Sequence, residues 1–68
     1  MSKRNVTEIS ASSTVSFDDA IKQGITRAAR ELDNIKGAWV NEQNLVVADG
    51  TIVEYRVRLR LTFVSNDD

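Results

Sequence analysis

From position 54 to 63 polar and apolar side chains alternate without a break. Tyr55, Val57, Leu59, Leu61 and Phe63 interleave with Glu54, Arg56, Arg58, Arg60 and Thr62. A period of two places the first set on one face of a strand and the second on the other. Residues 51–64 are therefore predicted as a strand with one apolar and one arginine-rich face. A second strand is predicted over 38–47, and Asp49-Gly50 between the two is the signal of a two-residue type I′ hairpin turn. Near the N-terminus, Arg4-Asn5-Val6-Thr7-Glu8-Ile9-Ser10 is short and rich in β-branched residues, which predicts a third strand over 4–10. The small polar stretch from Ser10 to Thr14 reads as a loop.

Between these strands the period changes. Phe17, Ile21, Ile25, Ala28, Leu32 and Ile35 recur at helical spacing, with Ala20, Gly24 and Ala29 beside them. This apolar stripe runs for about five turns, with Lys22, Thr26, Arg27, Arg30 and Asp33 on the outer side. Ser16 is the expected N-cap, with Asp19 positioned to complete a near capping box and Val15 with Ala20 placed for a hydrophobic staple. Asp18 and Asp19 fall in the first turn, where the helix dipole favours anions. Gly37 is the expected left-handed terminator. A glycine inside a helix costs about 1 kcal/mol against alanine, so Gly24 is expected to allow close approach of another backbone.

Register decides what shares a face, because a slip of one residue exchanges the two sides. A two-residue loop pairs Ala48 with Thr51, then sets Glu54 opposite Leu45, Arg56 opposite Gln43 and Arg60 opposite Trp39. Ala38, Val40 and Val46 would join the Tyr55–Phe63 row under the helix. Trp39, Gln43, Leu45, Val47, Arg56, Arg58 and Arg60 would form the second face. A three-residue loop would put Trp39 on the helix side, but the two-residue loop matches the turn chemistry and builds the more uniform core.

Length sharpens this picture. Sixty-eight residues are expected to form one domain over 1–68, and a chain this small buries only about 60% of its unfolded surface. Cysteine and histidine are absent, which removes disulfides, zinc-finger ligation, thiol nucleophiles and histidine acid–base catalysis. Self-association is the remaining way to supplement a small core, and an exposed Trp–Arg–aliphatic face has the composition of a contact surface. The net charge of −1 is unlike that of a basic nucleic-acid-binding domain. No apolar run approaches the roughly 20 residues of a membrane span, and the N-terminus lacks the apolar core of a secretory signal. The expected location is cytoplasmic and the expected activity is not enzymatic.

Three residue groups on the second face carry chemistry. Trp39 can stack on a planar ligand or plug an interface. Arg56, Arg58 and Arg60 can pair with Glu8, Glu42 and Glu54 on neighbouring strands, hold a phosphate-bearing ligand, or line a nucleic-acid-binding strand surface. Glu42 with Asp49 could contribute to a cation site, although no loop has the spacing of a calcium hand.

The order strand, long helix, strand, strand resembles the dodecin family over nearly the whole chain. The resemblance rests on Val6-Thr7-Glu8-Ile9, on Ser16-Phe17-Asp18-Asp19-Ala20-Ile21 through Arg27-Ala28-Ala29-Arg30, and on Tyr55-Arg56-Val57-Arg58-Leu59-Arg60-Leu61-Thr62-Phe63. It implies an α+β subunit, a three-stranded antiparallel sheet wrapped around one helix, assembled as a hollow homododecamer. Flavin-binding members hold flavin at subunit interfaces as a store rather than as catalysts. The resemblance places Gly37 where those members carry a stacking Trp, two residues before Trp39, and Arg56 where they carry a Gln. The segment Val40-Asn41-Glu42-Gln43-Asn44 looks closer to the calcium-dodecin branch. The expectation is a non-catalytic small-ligand cage, with Trp39, Gln43 and Arg56 as ligand contacts and FMN or riboflavin as the candidate. Glu42, Arg58 and Arg60 are expected to form interface or salt-bridge contacts. The alternatives are a structural or calcium-associated cage without flavin, and the nucleic-acid surface.

Overall fold

The structure, a computed structural model, describes residues 2–66. Met1, Asp67 and Asp68 of the domain expected over 1–68 lie outside the described residues. The element order is β1 (Ser2–Ser13), α1 (Phe17–Ala29), β2 (Ile35–Ala48) and β3 (Thr51–Asn66). The strands form one antiparallel sheet in the order β1-β3-β2. This is the α+β, β-α-β-β arrangement that the patterning predicts. The most regular strand by sequence, β3, occupies the centre.

The β2–β3 hairpin turns as its sequence requires. Asp49 and Gly50 both have positive φ, 53° and 73°, as a type I′ turn demands. Ala48 pairs with Thr51 on either side.

Strand β1 continues to Ser13, past the loop expected from Ser10 to Thr14, and pairs as far as Ser13 with Tyr55. Small residues are what this segment needs, because the helix lies directly on it. A β-carbon on Gly24 would stand 3.0 Å from Ala11 Cβ, 3.3 Å from Ile9 Cδ1 and 3.4 Å from Leu59 Cδ1. Gly24 therefore does allow a close approach, to side chains of β1 and β3.

Ser16 caps the helix, its hydroxyl accepting from the Asp19 amide at 3.0 Å. The Asp19 carboxylate does not return to the cap. It accepts instead from Ser13 Oγ and Gln23 Nε2, each at 2.6 Å. Ser13 is buried and its Oγ also accepts from the Val15 amide at 2.9 Å. These bonds tie the end of β1 to the first helical turns. The hydrophobic staple is absent, since Val15 is 70% exposed.

The helix ends at Ala29, earlier than its apolar spacing suggests. Asn34 turns the chain at φ 58°, a conformation asparagine tolerates. Its carbonyl accepts from the Val64 amide at 3.1 Å, anchoring the loop to β3. Leu32 and Ile35 still pack on the core, but from the loop and from β2. Gly37 is thus no helix terminator. It lies within β2, opposite Thr62.

The core consists of Ala11, Ala20, Ala28, Val57, Leu59 and Leu61, with Ile9, Phe17, Ile21, Ile25, Leu32 and Ile35 packed around it. Alanines at the contact let the helix axis sit close to the sheet. The subunit extends over 54 × 19 × 12 Å, whereas a 13-residue helix spans only about 20 Å. The helix packs on β1 and β3, leaving Val40 and Leu45 of β2 43% and 46% exposed.

Two bulges correct the expected register. Val53 is extra on β3, so Val46 pairs with Glu54, Leu45 with Tyr55, Asn44 with Arg56 and Gln43 with Val57. Asn41 is extra on β2, which restores Val40 opposite Leu59 and Trp39 opposite Arg60. Between the bulges every side chain of β2 has changed sides. Val46 leaves the helix side; Gln43 and Leu45 join it. Val47, two residues beyond Leu45, keeps the side of Leu45.

Candidate functional site

The face of the sheet turned away from the helix carries the polar row of β3. Arg56, Arg58 and Arg60 lie along its midline, because strict alternation sends Val57, Leu59 and Leu61 into the core. Register then assigns their neighbours. Arg60 sits between Glu8 and Trp39, Arg58 between Ser10 and Glu42, and Arg56 between Ser12 and Asn44.

Each arginine of the row has one carboxylate partner. Arg56 Nε donates to Glu54 Oε1 at 2.6 Å, Arg58 Nη1 lies 3.2 Å from Glu42 Oε1, and Arg60 Nη2 lies 3.6 Å from Glu8 Oε2. All three pairs are substantially exposed, so each contributes at most about 1 kcal/mol. The Asn41 bulge adds a link, its Nδ2 donating to Glu8 Oε2 at 3.3 Å. Charge on this face is therefore matched locally within the row.

Trp39 stands at one end of the face and is 57% exposed. A β-carbon on Gly37 would lie 3.7 Å from Trp39 Cζ3 and 3.3 Å from Thr62 Oγ1. The six-membered part of the indole thus rests over Gly37, and the glycine forms its floor. An open indole on such a floor can accept a planar ring by stacking.

Trp39 and Arg56 share this face, but Gln43 does not. Its pairing with Val57 places it on the helix side, and Asn44 holds the position beside Arg56 that Gln43 was expected to fill. The residues read from sequence as ligand contacts are therefore not brought together as a set of three. Glu42, Arg58 and Arg60 do lie together on the arginine face.

The pairing of Ser13 with Asp19 was not anticipated. The Ser13 hydroxyl, and after it the Gln23 amide, hold the Asp19 carboxyl below its ordinary pKa of 3.8, aided by Lys22 and opposed by desolvation. Arg27 was also missed. Its Nη2 donates to the Ser10 carbonyl at 2.8 Å across 17 residues of sequence, and nothing local in the sequence signals a contact of that range.

Among the described residues no group of three or more Asp and Glu side chains converges as a metal site. Among them, too, no helix is long and apolar enough to cross a membrane.

Comparison with known proteins follows the same outline. A family model described as Dodecin matches residues 4–66. The calcium dodecin of Mycobacterium tuberculosis is 32% identical over 63 residues, covering 93% of this chain and 89% of that protein. A solved dodecin from Streptomyces davaonensis superposes with a TM-score of 0.90 at 30% identity, over 97% of each chain. A crystal structure of the M. tuberculosis calcium dodecin, described as calcium-chelating, gives 0.83 at 27% identity, over 97% of this chain and 94% of that one.

Proposed function

The chain belongs to the dodecin family, and from that premise we propose that it assembles as a non-catalytic homododecameric cage that binds or sequesters a small ligand. The observation that carries this reading is the open face itself. A Trp at 57% exposure, laid over Gly37 and set beside Arg60, is an aromatic platform that the helix does not cover. Burying such a ring against a ligand or a neighbouring subunit removes apolar surface from water at about 25 cal/mol per Å². Assembly would also cover Val40 and Leu45.

Flavin is the candidate ligand, with Trp39 stacking on its ring system. The test is titration of riboflavin and FMN into the purified protein with flavin fluorescence as readout. Quenching at micromolar protein that Trp39→Ala abolishes, with the mass of the assembly unchanged, supports flavin. Absence of quenching in the unaltered protein removes it.

A calcium-associated cage is the second reading, favoured by the relationship to a protein named calcium dodecin. No acidic cluster exists among the described residues of one chain, and convergence of carboxylates from neighbouring subunits would supply one. Calorimetric titration of calcium into the assembly tests this. Heat of binding in a protein that leaves flavin fluorescent would favour the second reading.

A further inference from the structure

The far end of the β2–β3 hairpin holds a chemically reactive pair that neither face of the sheet uses. Asp49-Gly50 is the sole place in the sequence where Asp or Asn precedes Gly. Every residue from Val47 to Val53 is exposed in the subunit, and the helix packs on β1 and β3. Among the described residues no hydrogen bond or ion pair holds the Asp49 carboxylate. A β-carbon on Gly50 would meet nothing within 4 Å, so no other element crowds the Gly50 amide.

We propose that this turn is a site of spontaneous backbone rearrangement, in which Asp49 closes to a cyclic imide and reopens as isoaspartate. The Gly50 nitrogen attacks Cγ of the protonated Asp49 carboxyl. The N–Cγ bond forms, the carboxyl C–OH bond breaks, and the hydroxyl leaves with the amide proton as water. Water then opens the imide at one of its two carbonyls. Cleavage at Cγ restores Asp49, whereas cleavage at the main-chain carbonyl carbon leaves Gly50 joined through Cγ. That product adds one backbone atom to the loop. Ring closure needs the Gly50 nitrogen eclipsed with Asp49 Cβ, which for an L-residue sets ψ at about −120°, against about +30° in a type I′ turn. Rotating the one peptide plane between Asp49 and Gly50 converts type I′ into type II′, which has the required ψ and keeps φ positive at Asp49. The same rotation carries φ of Gly50 from 73° to about −80°, a change that glycine makes without steric cost. Type II′ is itself a two-residue hairpin turn, so Ala48 and Thr51 can stay paired throughout. The reactive geometry thus lies one peptide rotation from the structure, with no strand displaced. Asp18 and Asp19 are held in the helix, and Asp33 is followed by the bulkier Asn34.

The test is ageing of the folded, assembled protein at physiological temperature, with isoaspartate located by peptide mapping. An isoaspartyl methyltransferase with S-adenosylmethionine counts the same product, since it adds one methyl group to the new α-carboxylate. Isoaspartate is expected to accumulate at Asp49 well ahead of Asp33. Gly50→Ala should slow it by about ten-fold or more, because a β-carbon shields the attacking nitrogen. Asp49→Glu should abolish it, since closure would then need a six-membered ring. Asp49→Asn should speed it, with ammonia leaving in place of water and the same isoaspartate as product. Circular dichroism and light scattering establish that each variant is folded and assembled. Isoaspartate at Asp49 no higher than at Asp33, or formed only once the protein is denatured, would overturn the proposal. A Gly50→Ala variant that ages like the parent would overturn it too. Neither flavin nor calcium enters the reaction, so this proposal and the ligand readings fail separately.

Discussion

The two faces of one sheet differ in how firmly they are held. On the helix side, Leu59 and Leu61 are fully buried, and alanines and Gly24 bring the helix onto the strands. On the other side, the same strand carries Arg56, Arg58 and Arg60 in exposed pairs beside an uncovered Trp39. Adjacent residues of β3 thus meet opposite environments. Deep burial makes the first set intolerant of change, while weak exposed pairing leaves the second free to exchange partners. A small domain with one helix can cover only part of its sheet, and what remains is available for neighbours and ligands.

The largest expected effect breaks the covered face. Leu61→Ala should destabilise the fold by about 2–5 kcal/mol, the usual cost of emptying a packed leucine site, read as a lower denaturant midpoint. A change below about 1 kcal/mol would mean that this side is not the core. Next is Gly24→Val, which places branched atoms where a β-carbon already meets Ala11 at 3.0 Å. Overpacking of this kind costs about 1–3 kcal/mol, and a variant as stable as the parent would contradict the close approach.

Ser13→Ala should cost about 1 kcal/mol, through loss of the acceptor for the Val15 amide. It also carries a pH signature. The Asp19 carboxyl is held below 3.8 by Ser13 and then Gln23, so its contribution to stability is fully present above 3.8 and is lost as pH falls through the depressed folded value. The part of the difference between parent and Ser13→Ala that Asp19 supplies should be constant near neutral pH and shrink in acid. Denaturation curves in which the difference grows in acid would invert this account.

On the open face the effect on stability should be smallest. Glu42→Gln removes the partner of Arg58 but should change stability by less than about 1 kcal/mol. Its use is comparative, because it removes one ion pair of the open face while barely moving the denaturation midpoint. A large loss of stability would show that the row is structural rather than exchangeable.

The physics of what could be read beforehand follows the same division. The alternation of β3, the Asp49-Gly50 turn and the Ser16 cap are local signals, and they placed the strands, the hairpin and the helix start. The bulges at Asn41 and Val53 compensate one another, so the pairing is as expected next to the turn and again from Val40 to Gly37, while the stretch between shifts. No local feature marks them, and Gln43 was assigned to the wrong face for that reason. Leu32 and Ile35 retain helical spacing after the helix has ended, because the turn at Asn34 returns them to the same core. Trp39 and the arginine row could be placed on one face from pattern alone. Arg27 could not, since its contact with Ser10 depends on how the helix sits over the β1 edge.

The central claim is that the surface left open by one helix is covered by copies of the same chain. Light scattering coupled to size exclusion measures this directly. The account predicts a single species with a mass on the order of twelve 7.6 kDa subunits. A monomer of 7.6 kDa, stable and folded with Val40, Leu45 and Trp39 in water, would contradict it.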